Sequence, residues 1–250
     1  NIRGAISLAL RSAQCQDGRN KQQSGKETAP MSRLYQDQHR ALQDRFDSRP
    51  MADRIEQIAL KTEIGPEEKA FIESRDFFFL TTVDGAGMPT VSYKGGAPGF
   101  VRVVDDTHIV FPSYDGNGMY LSMGNIVSHP QVGFLFIDFE RPFRLRAQGI
   151  AEVTDAPEHL AAFKEAELVV RVKLTELWMN CPRYIHRYQK LKTSRYVPQD
   201  EAETPLCEWK RIDGIQDVLR PKEVAQVEQA GGTISIEEWI GRVVTGDEKA

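Results

Sequence analysis

Apolar positions recur at helical spacing first. From Ser32 to Leu60 the residues Leu34, Leu42, Phe46, Ile55, Ile58 and Leu60 fall at such intervals. Pro50, just after Asp47-Ser48, marks the start of a second helix. Gly65-Pro66 then separates this region from another helix, PEEKAFIESRD, whose early acids suit the positive end of the helix dipole. The period then drops to two. Phe77–Val83 is apolar and β-branched, Asp84-Gly85-Ala86-Gly87 reads as a hairpin turn, and Pro89–Gly95 alternates. Phe100–Val104 and His108–Phe111 flank a tight turn at Asp105-Asp106, and Gln131–Asp138 and Phe143–Val153 form a further pair. A short helix is expected over Pro157–Glu165, and Glu167–Leu177 returns to strict alternation as a further strand. These signals predict a closed antiparallel barrel with flanking helices, mainly β in class.

Beyond Trp178 the pattern breaks down. Cys181–Tyr188 reads as a short helix, residues 193–210 as loop, and two late helices are expected near Pro221–Glu228 and Ser235–Val243. The organisation expected is a disordered tail over 1–30, a helical extension over 31–65, the barrel over 66–190, and loop and helices packing on it over 191–250. Residues 1–30 also read as sequence upstream of a start at Met31, with a transit peptide as the alternative.

Composition narrows the function classes. The formal charge is -4, and no dense Lys/Arg stripe marks a nucleic-acid surface. No apolar run approaches a membrane span. The three cysteines Cys15, Cys181 and Cys207 are too few and too far apart for a disulfide framework or zinc site, which points to a reducing, cytoplasmic setting. Cys181 reads as a small buried apolar group. No nucleophile elbow or P-loop is present, and no cluster has metal-ligand spacing.

The stretch with chemistry is Phe111–Asp138. A strand runs into Gly116-Asn117-Gly118, which opens a helix carrying Ser122 and Asn125 three residues apart on one face. Free amides at such a helix start suit a phosphate or carboxylate. Lys94, followed by Gly95-Gly96, is a cationic candidate on the second long strand.

The segments PTVSYKGG, GFVRVV, YDGNGMYLSMGNI, HPQVGFLFIDF, RLRAQGIAEV and VVRVKLTELWMNCPRYIHRY occur in order between about Phe71 and Tyr188. In this ordered set the chain resembles the pyridoxamine 5'-phosphate oxidase-like, FMN-binding split-barrel proteins, nearest the predicted flavin-nucleotide-binding branch. The resemblance implies a six-stranded antiparallel split barrel, dimeric, with FMN at the subunit interface. It implies that Val91, Ser92, Tyr93 and Lys94 lie along the flavin, with Pro112 and Ser113 also in contact. The turn departs from the oxidases, which place an Arg-Lys pair where this chain has Gly116-Asn117-Gly118-Met119. Asn117, Gly118, Ser122 and Asn125 then remain for the phosphate, with positive charge from Lys94, Arg102 or Arg144. Arg144 matches a glutamine that touches the isoalloxazine ring, where an arginine would stabilise negative charge on reduced flavin. Trp178 and His186 keep the spacing of a substrate-side Trp and Arg-x-His, but the arginine is displaced to Arg183 and Tyr184 stands in its place.

The resemblance implies an FMN-dependent oxidoreductase exchanging a hydride at flavin N5 with an unidentified small substrate, with Arg183 and His186 as catalytic candidates. The alternatives are a pyridoxamine/pyridoxine 5'-phosphate oxidase of vitamin B6 salvage and a non-catalytic flavin- or haem-binding protein. The deazaflavin F420 is a further cofactor option.

Overall fold

The computed structural model describes residues 32–249, so the expectation for residues 1–30 lies outside the described part. The chain divides into two compact units, one ending at Lys61 and one starting at Thr62.

In the first unit the helical periodicity resolves into α1 (Asp37–Arg45) and α2 (Arg49–Ala59), followed by the two-residue strand β1 (Leu60–Lys61). Polar contacts tie the two helices. Arg40 Nη1 meets Asp53 at 2.6 Å, and the Glu56 carboxylate accepts from Ser32 Oγ at 2.8 Å and from the Arg33 amide at 2.8 Å.

The second unit opens with α3 (Pro66–Glu73), where Pro66 occupies the first helical position and the Glu68 side chain accepts from the Gly65 amide at 3.1 Å. The strands are β2 (Phe77–Val83), β3 (Pro89–Gly95), β4 (Arg102–Val103), β5 (His108–Tyr114), β6 (Gln131–Asp138), β7 (Phe143–Thr154) and β8 (Ala166–Asn180). Helix α4 (Leu121–Ser128) joins β5 to β6, and the single turn α5 (Pro157–Leu160) joins β7 to β8. Two 3₁₀ turns (Glu208–Arg211 and Asp213–Val218) precede α6 (Pro221–Gln229) and α7 (Ile236–Thr245).

Neighbouring strands run in the order β3-β2-β6-β7-β8-β5-β4, and every pairing along this path is antiparallel. The expected class, mainly antiparallel β with flanking helices, is what forms. The ladder itself differs from a closed six-stranded ring. Eight strands are present among the described residues, and β3 and β4 are unjoined ends of the path. The expected strand at Phe100–Val104 shrinks to two paired residues because Phe100 and Val101 turn inward as core.

The sheet nevertheless rolls around one core. In a flat sheet four strand spacings would separate β2 from β5 by roughly 19 Å. Yet the Phe78 ring on β2 lies 5.0 Å from Phe111 on β5, edge to face. Phe78 also meets Phe100, Phe134 and Phe136 within 5.7 Å. This aromatic nest joins Ile72, Leu80, Val170, Val172 and Leu177 in one buried cluster. The inward set follows from the period of two, with Phe78, Leu80 and Thr82 buried along β2 and Leu145, Ala147 and Ala151 along β7. At Gly149 the β7–β8 register shifts, and a Cβ there would lie 2.5 Å from the Lys173 carbonyl.

The helix expected over Cys181–Tyr188 does not form. Tyr184 adopts φ +70°, and the recorded backbone bond inside the stretch is a single turn from the Ile185 amide to the Pro182 carbonyl at 3.2 Å. Nor does the helix after Pro157 reach Glu165, since it ends at Leu160 and Glu165 sits at φ +61°.

Candidate functional site

The alternation of β3 divides its residues between two faces. Ser92 and Lys94 turn inward and are half-buried, while Val91 and Tyr93 are exposed on the outer face. The tail of β5 brings Ser113 alongside, and residues 116–120 continue the same wall. Gly118 takes φ +74°, a conformation that glycine adopts without a Cβ penalty. The Asn117 side chain accepts from the Met119 amide at 3.1 Å, which stabilises the turn. Tyr120, the residue before α4, is also left-handed at φ +47°, and its hydroxyl donates to Glu167 at 2.6 Å.

Together these residues line a cleft of about 250 Å³, with Ser92, Lys94, Ser113, Asn117, Gly118 and Ser122 on its wall. Ser92 Oγ and Ser122 Oγ lie 3.1 Å apart, linking strand to helix. Among the described residues no ion pair or hydrogen bond engages the Lys94 ammonium, and burial pulls it below its ordinary value. The start of α4 carries no side-chain cap, and nothing described accepts from the amides of Leu121, Ser122 or Met123. The cleft thus combines an unpaired ammonium, hydroxyls and free amides, a donor set that fits a phosphate.

Other expected residues sit elsewhere. Asn125 shares the buried face of α4 with Ser122, but its amide donates to Thr82 Oγ1 at 3.1 Å and Thr90 Oγ1 at 3.4 Å, which makes it a packing link to β2 and β3. Pro112 is buried in β5 behind Ser113. Tyr93 stacks on Phe77 at 5.3 Å on the outer face, beside the exposed Val91. Arg102 is committed to the Ala162 carbonyl at 2.7 Å and to the Phe163 ring at 4.5 Å, so it supplies no charge to the turn.

Arg144 and His186 share a second cleft of about 450 Å³ with Ile137, Phe139, Tyr184 and Tyr188. Arg144 Nε is buried without a hydrogen-bond partner, as is Oδ1 of Asn180, its cross-strand neighbour on β8. Trp178 is half-buried on β8, opposite Arg146. Arg183 is exposed and lies 5.8 Å from the Tyr184 ring. Cys181 is exposed rather than buried, and the Arg183 amide that donates to its sulfur at 3.4 Å holds the thiol below its ordinary value.

Sequence reasoning missed Ser92 as the partner of Ser122, and Tyr120 as the left-handed hinge. It also missed the ion pairs around Asp115. Asp115 Oδ2 accepts from Lys210 at 2.5 Å and Oδ1 from Arg220 at 2.5 Å, although about a hundred residues separate these groups in the chain. No group of His, Cys, Asp and Glu among the described residues is arranged to hold a metal, and no described helix is long and apolar enough to cross a membrane.

Residues 64–181 match the family model described as pyridoxamine 5'-phosphate oxidase. No curated protein matches the chain. Among solved structures, HupZ of Group A Streptococcus is 19% identical with a TM-score of 0.40, the match covering 50% of this chain and 99% of that one. An FMN-binding protein from Syntrophomonas wolfei is 9% identical with a TM-score of 0.38, covering 56% and 97%. HutZ, the haem storage protein from Vibrio cholerae, is 19% identical with a TM-score of 0.31, covering 46% and 93%.

Proposed function

We propose, from the match of residues 64–181 to that family model, that the chain is a pyridoxamine 5'-phosphate oxidase-like protein that binds FMN and acts as a cytoplasmic flavin-dependent oxidoreductase on a small substrate. The observation that carries this reading is the unpaired, half-buried Lys94 ammonium facing Ser92, Ser122 and the free amides of α4 across one cleft. A bound flavin would supply hydride exchange at N5. The chain's own part is to hold the phosphate. Lys94 gives the charge, Ser92 and Ser122 donate hydroxyl hydrogens, and the Leu121–Met123 amides point the helix dipole at the anion. The αL conformation of Gly118 lets the turn follow the phosphate closely.

The same reading includes a homodimer. Val91 is 67% exposed and Tyr93 62% exposed on the outer face of β3, an apolar surface that a second copy would cover. Arg144 lies in the separate cleft with its Nε unpartnered. A second copy seated on the outer face would bring that guanidinium to the flavin ring, where it would favour the reduced, anionic form. Trp178 would take part in the same ring environment. Genuine oxidation of pyridoxamine phosphate is less favoured, because Arg183 is exposed and turned to Tyr184 instead of paired with His186 toward a substrate.

The test is the absorption spectrum of the purified full chain, with and without added FMN. Bound-flavin bands that bleach on anaerobic addition of a reduced nicotinamide support the reading. Protein that takes up no FMN refutes it, and a haem Soret band or a deazaflavin spectrum assigns the cleft to haem or F420 instead. Flavin that binds but is not reduced by reduced nicotinamide or by pyridoxamine phosphate supports a non-catalytic carrier.

A further inference from the structure

The glycine turn is nearly free of charge, with one exception at its first residue. Asp115 directly precedes Gly116, although its carboxylate lines a neighbouring cleft with Lys210 and not the one that holds Lys94. The structure neutralises it from far along the chain. Lys210, in the first 3₁₀ turn, is 3% exposed and donates to Asp115 Oδ2 at 2.5 Å and to Glu223 Oε1 at 2.7 Å. Arg220 contacts three carboxylates: Asp115 at 2.5 Å, Glu167 at 2.9 Å and Glu223 at 2.5 Å.

The local sequence explains why these groups are held so firmly. Arg220 caps α6, Pro221 takes its first position, and Glu223 Oε2 accepts from the Arg220 amide at 2.9 Å. Burial alone would lower the Lys210 ammonium, but its hydrogen bonds to the Asp115 and Glu223 carboxylates outweigh it and hold it above its ordinary value. Burial alone would likewise raise the Asp115 carboxyl, and the Lys210 and Arg220 cations hold it below the usual range instead.

The far end of the turn joins the same network. Glu167, which pairs with Arg220, accepts the Tyr120 hydroxyl at 2.6 Å. Both residues that bracket Gly116–Met119 are therefore fastened to one cluster, and that cluster is organised by residues 208–223. Two cations, Lys210 and Arg220, face three carboxylates, Asp115, Glu167 and Glu223. Removing either cation leaves two net negative charges in the cluster that anchors the turn instead of one.

We propose that Lys210 and Arg220 are positioning residues of the anion site: they cancel Asp115 and clamp both ends of the turn, so that residues 208–223 control phosphate affinity without touching the phosphate. This rests on the FMN reading above and deepens it. In this scheme the specificity for a phosphorylated ligand is set partly outside the cleft.

The experiment compares FMN with riboflavin, which lacks the phosphate, by flavin-fluorescence titration of the full chain. The variants are Lys210→Met, Arg220→Gln and Lys210→Met with Asp115→Asn. Lys210→Met and Arg220→Gln are expected to weaken FMN about tenfold or more while riboflavin changes less than about twofold. Adding Asp115→Asn to Lys210→Met is expected to restore FMN to within about threefold of the starting protein, because the uncancelled carboxylate is gone. Lys210 is buried and its variant could lose the fold. Arg220 is 40% exposed at its side chain, so Arg220→Gln keeps the comparison available. Lower melting temperatures with an unchanged FMN-to-riboflavin ratio would show a structural role only and overturn the inference. Failure of the unaltered protein to bind FMN would overturn the flavin reading together with it, whereas binding by wild type with unaffected variants overturns this inference alone.

Discussion

Replacing Lys94 by Met separates ligand affinity from folding stability. The side chain is half-buried on β3 and meets no counter-charge among the described residues, so in the ligand-free protein its ammonium is a cost. Methionine keeps the length and apolar stem and removes the charge. The ligand-free variant is therefore expected to be as stable as the parent or slightly more so in urea unfolding. Binding should move the other way. A charge-assisted hydrogen bond to a phosphate contributes about 1.5–3 kcal/mol, which corresponds to roughly 10- to 150-fold in the FMN dissociation constant. Titration with pH adds a second readout. The folded value of Lys94 lies below that of the unfolded chain, so the unfolded chain holds the proton to higher pH. Free-protein stability therefore rises as pH climbs through the folded value toward 10.5. FMN affinity falls over the same interval because binding needs the charged form. Lys94→Met should lose both alkaline limbs. The reasoning is refuted if the variant binds FMN within twofold of the parent, or if its ligand-free stability drops by more than about 1 kcal/mol, since a drop would mean the ammonium had a stabilising partner.

Three further outcomes follow from the packing and charges. Phe78→Ala removes a side chain with no exposed surface from the centre of the aromatic nest. It is expected to cost about 3–5 kcal/mol in urea unfolding, and a loss below 1 kcal/mol would mean the rolled core is not what holds the sheet. Asn125→Ala leaves the Thr82 and Thr90 hydroxyls short of a buried partner. It should destabilise by about 1–3 kcal/mol with FMN affinity within threefold, and a large affinity loss at unchanged stability would return Asn125 to the phosphate site. In acid, Glu223 is held down to about 2 from an ordinary 4.5, chiefly by the Arg220 hydrogen bond. Its contribution is complete above pH 4.5 and lost as pH falls toward 2, at most about 3 kcal/mol. Glu223→Gln should flatten that acid limb in a melting-temperature series, and an unchanged limb would count against the network.

The parts of the fold legible beforehand are those whose side chains obey a local period. β2, β3 and β6 form over the residues their alternation marks, and α4 starts where the glycine turn places it. Lys94, Ser113, Asn117, Gly118 and Ser122 do line one cleft. What escaped the pattern is non-local. No local pattern links Asp115 to Lys210, and only the fold brings them to 2.5 Å. Arg144 seemed part of the same site by its place in the ordered motifs, yet β7 carries it to a different cleft. At Cys181–Tyr188 the failure is local. Tyr184 turns left-handed in the middle of the stretch, so the chain runs on as exposed loop.

The order of strands has a consequence for synthesis. β5, which leads into the glycine turn, has its long ladder with β8 and otherwise pairs with the two residues of β4. A chain emerging from the ribosome thus exposes Phe111 and the turn well before Asn180 arrives, an interval of roughly 3–13 s at typical elongation rates. Asp115 waits longer still, until Lys210 and Arg220 have emerged. The first half of the cleft is translated early and completed late. Nascent chains halted between Tyr114 and Asn180 should present an unpaired apolar strand, the species that chaperones capture.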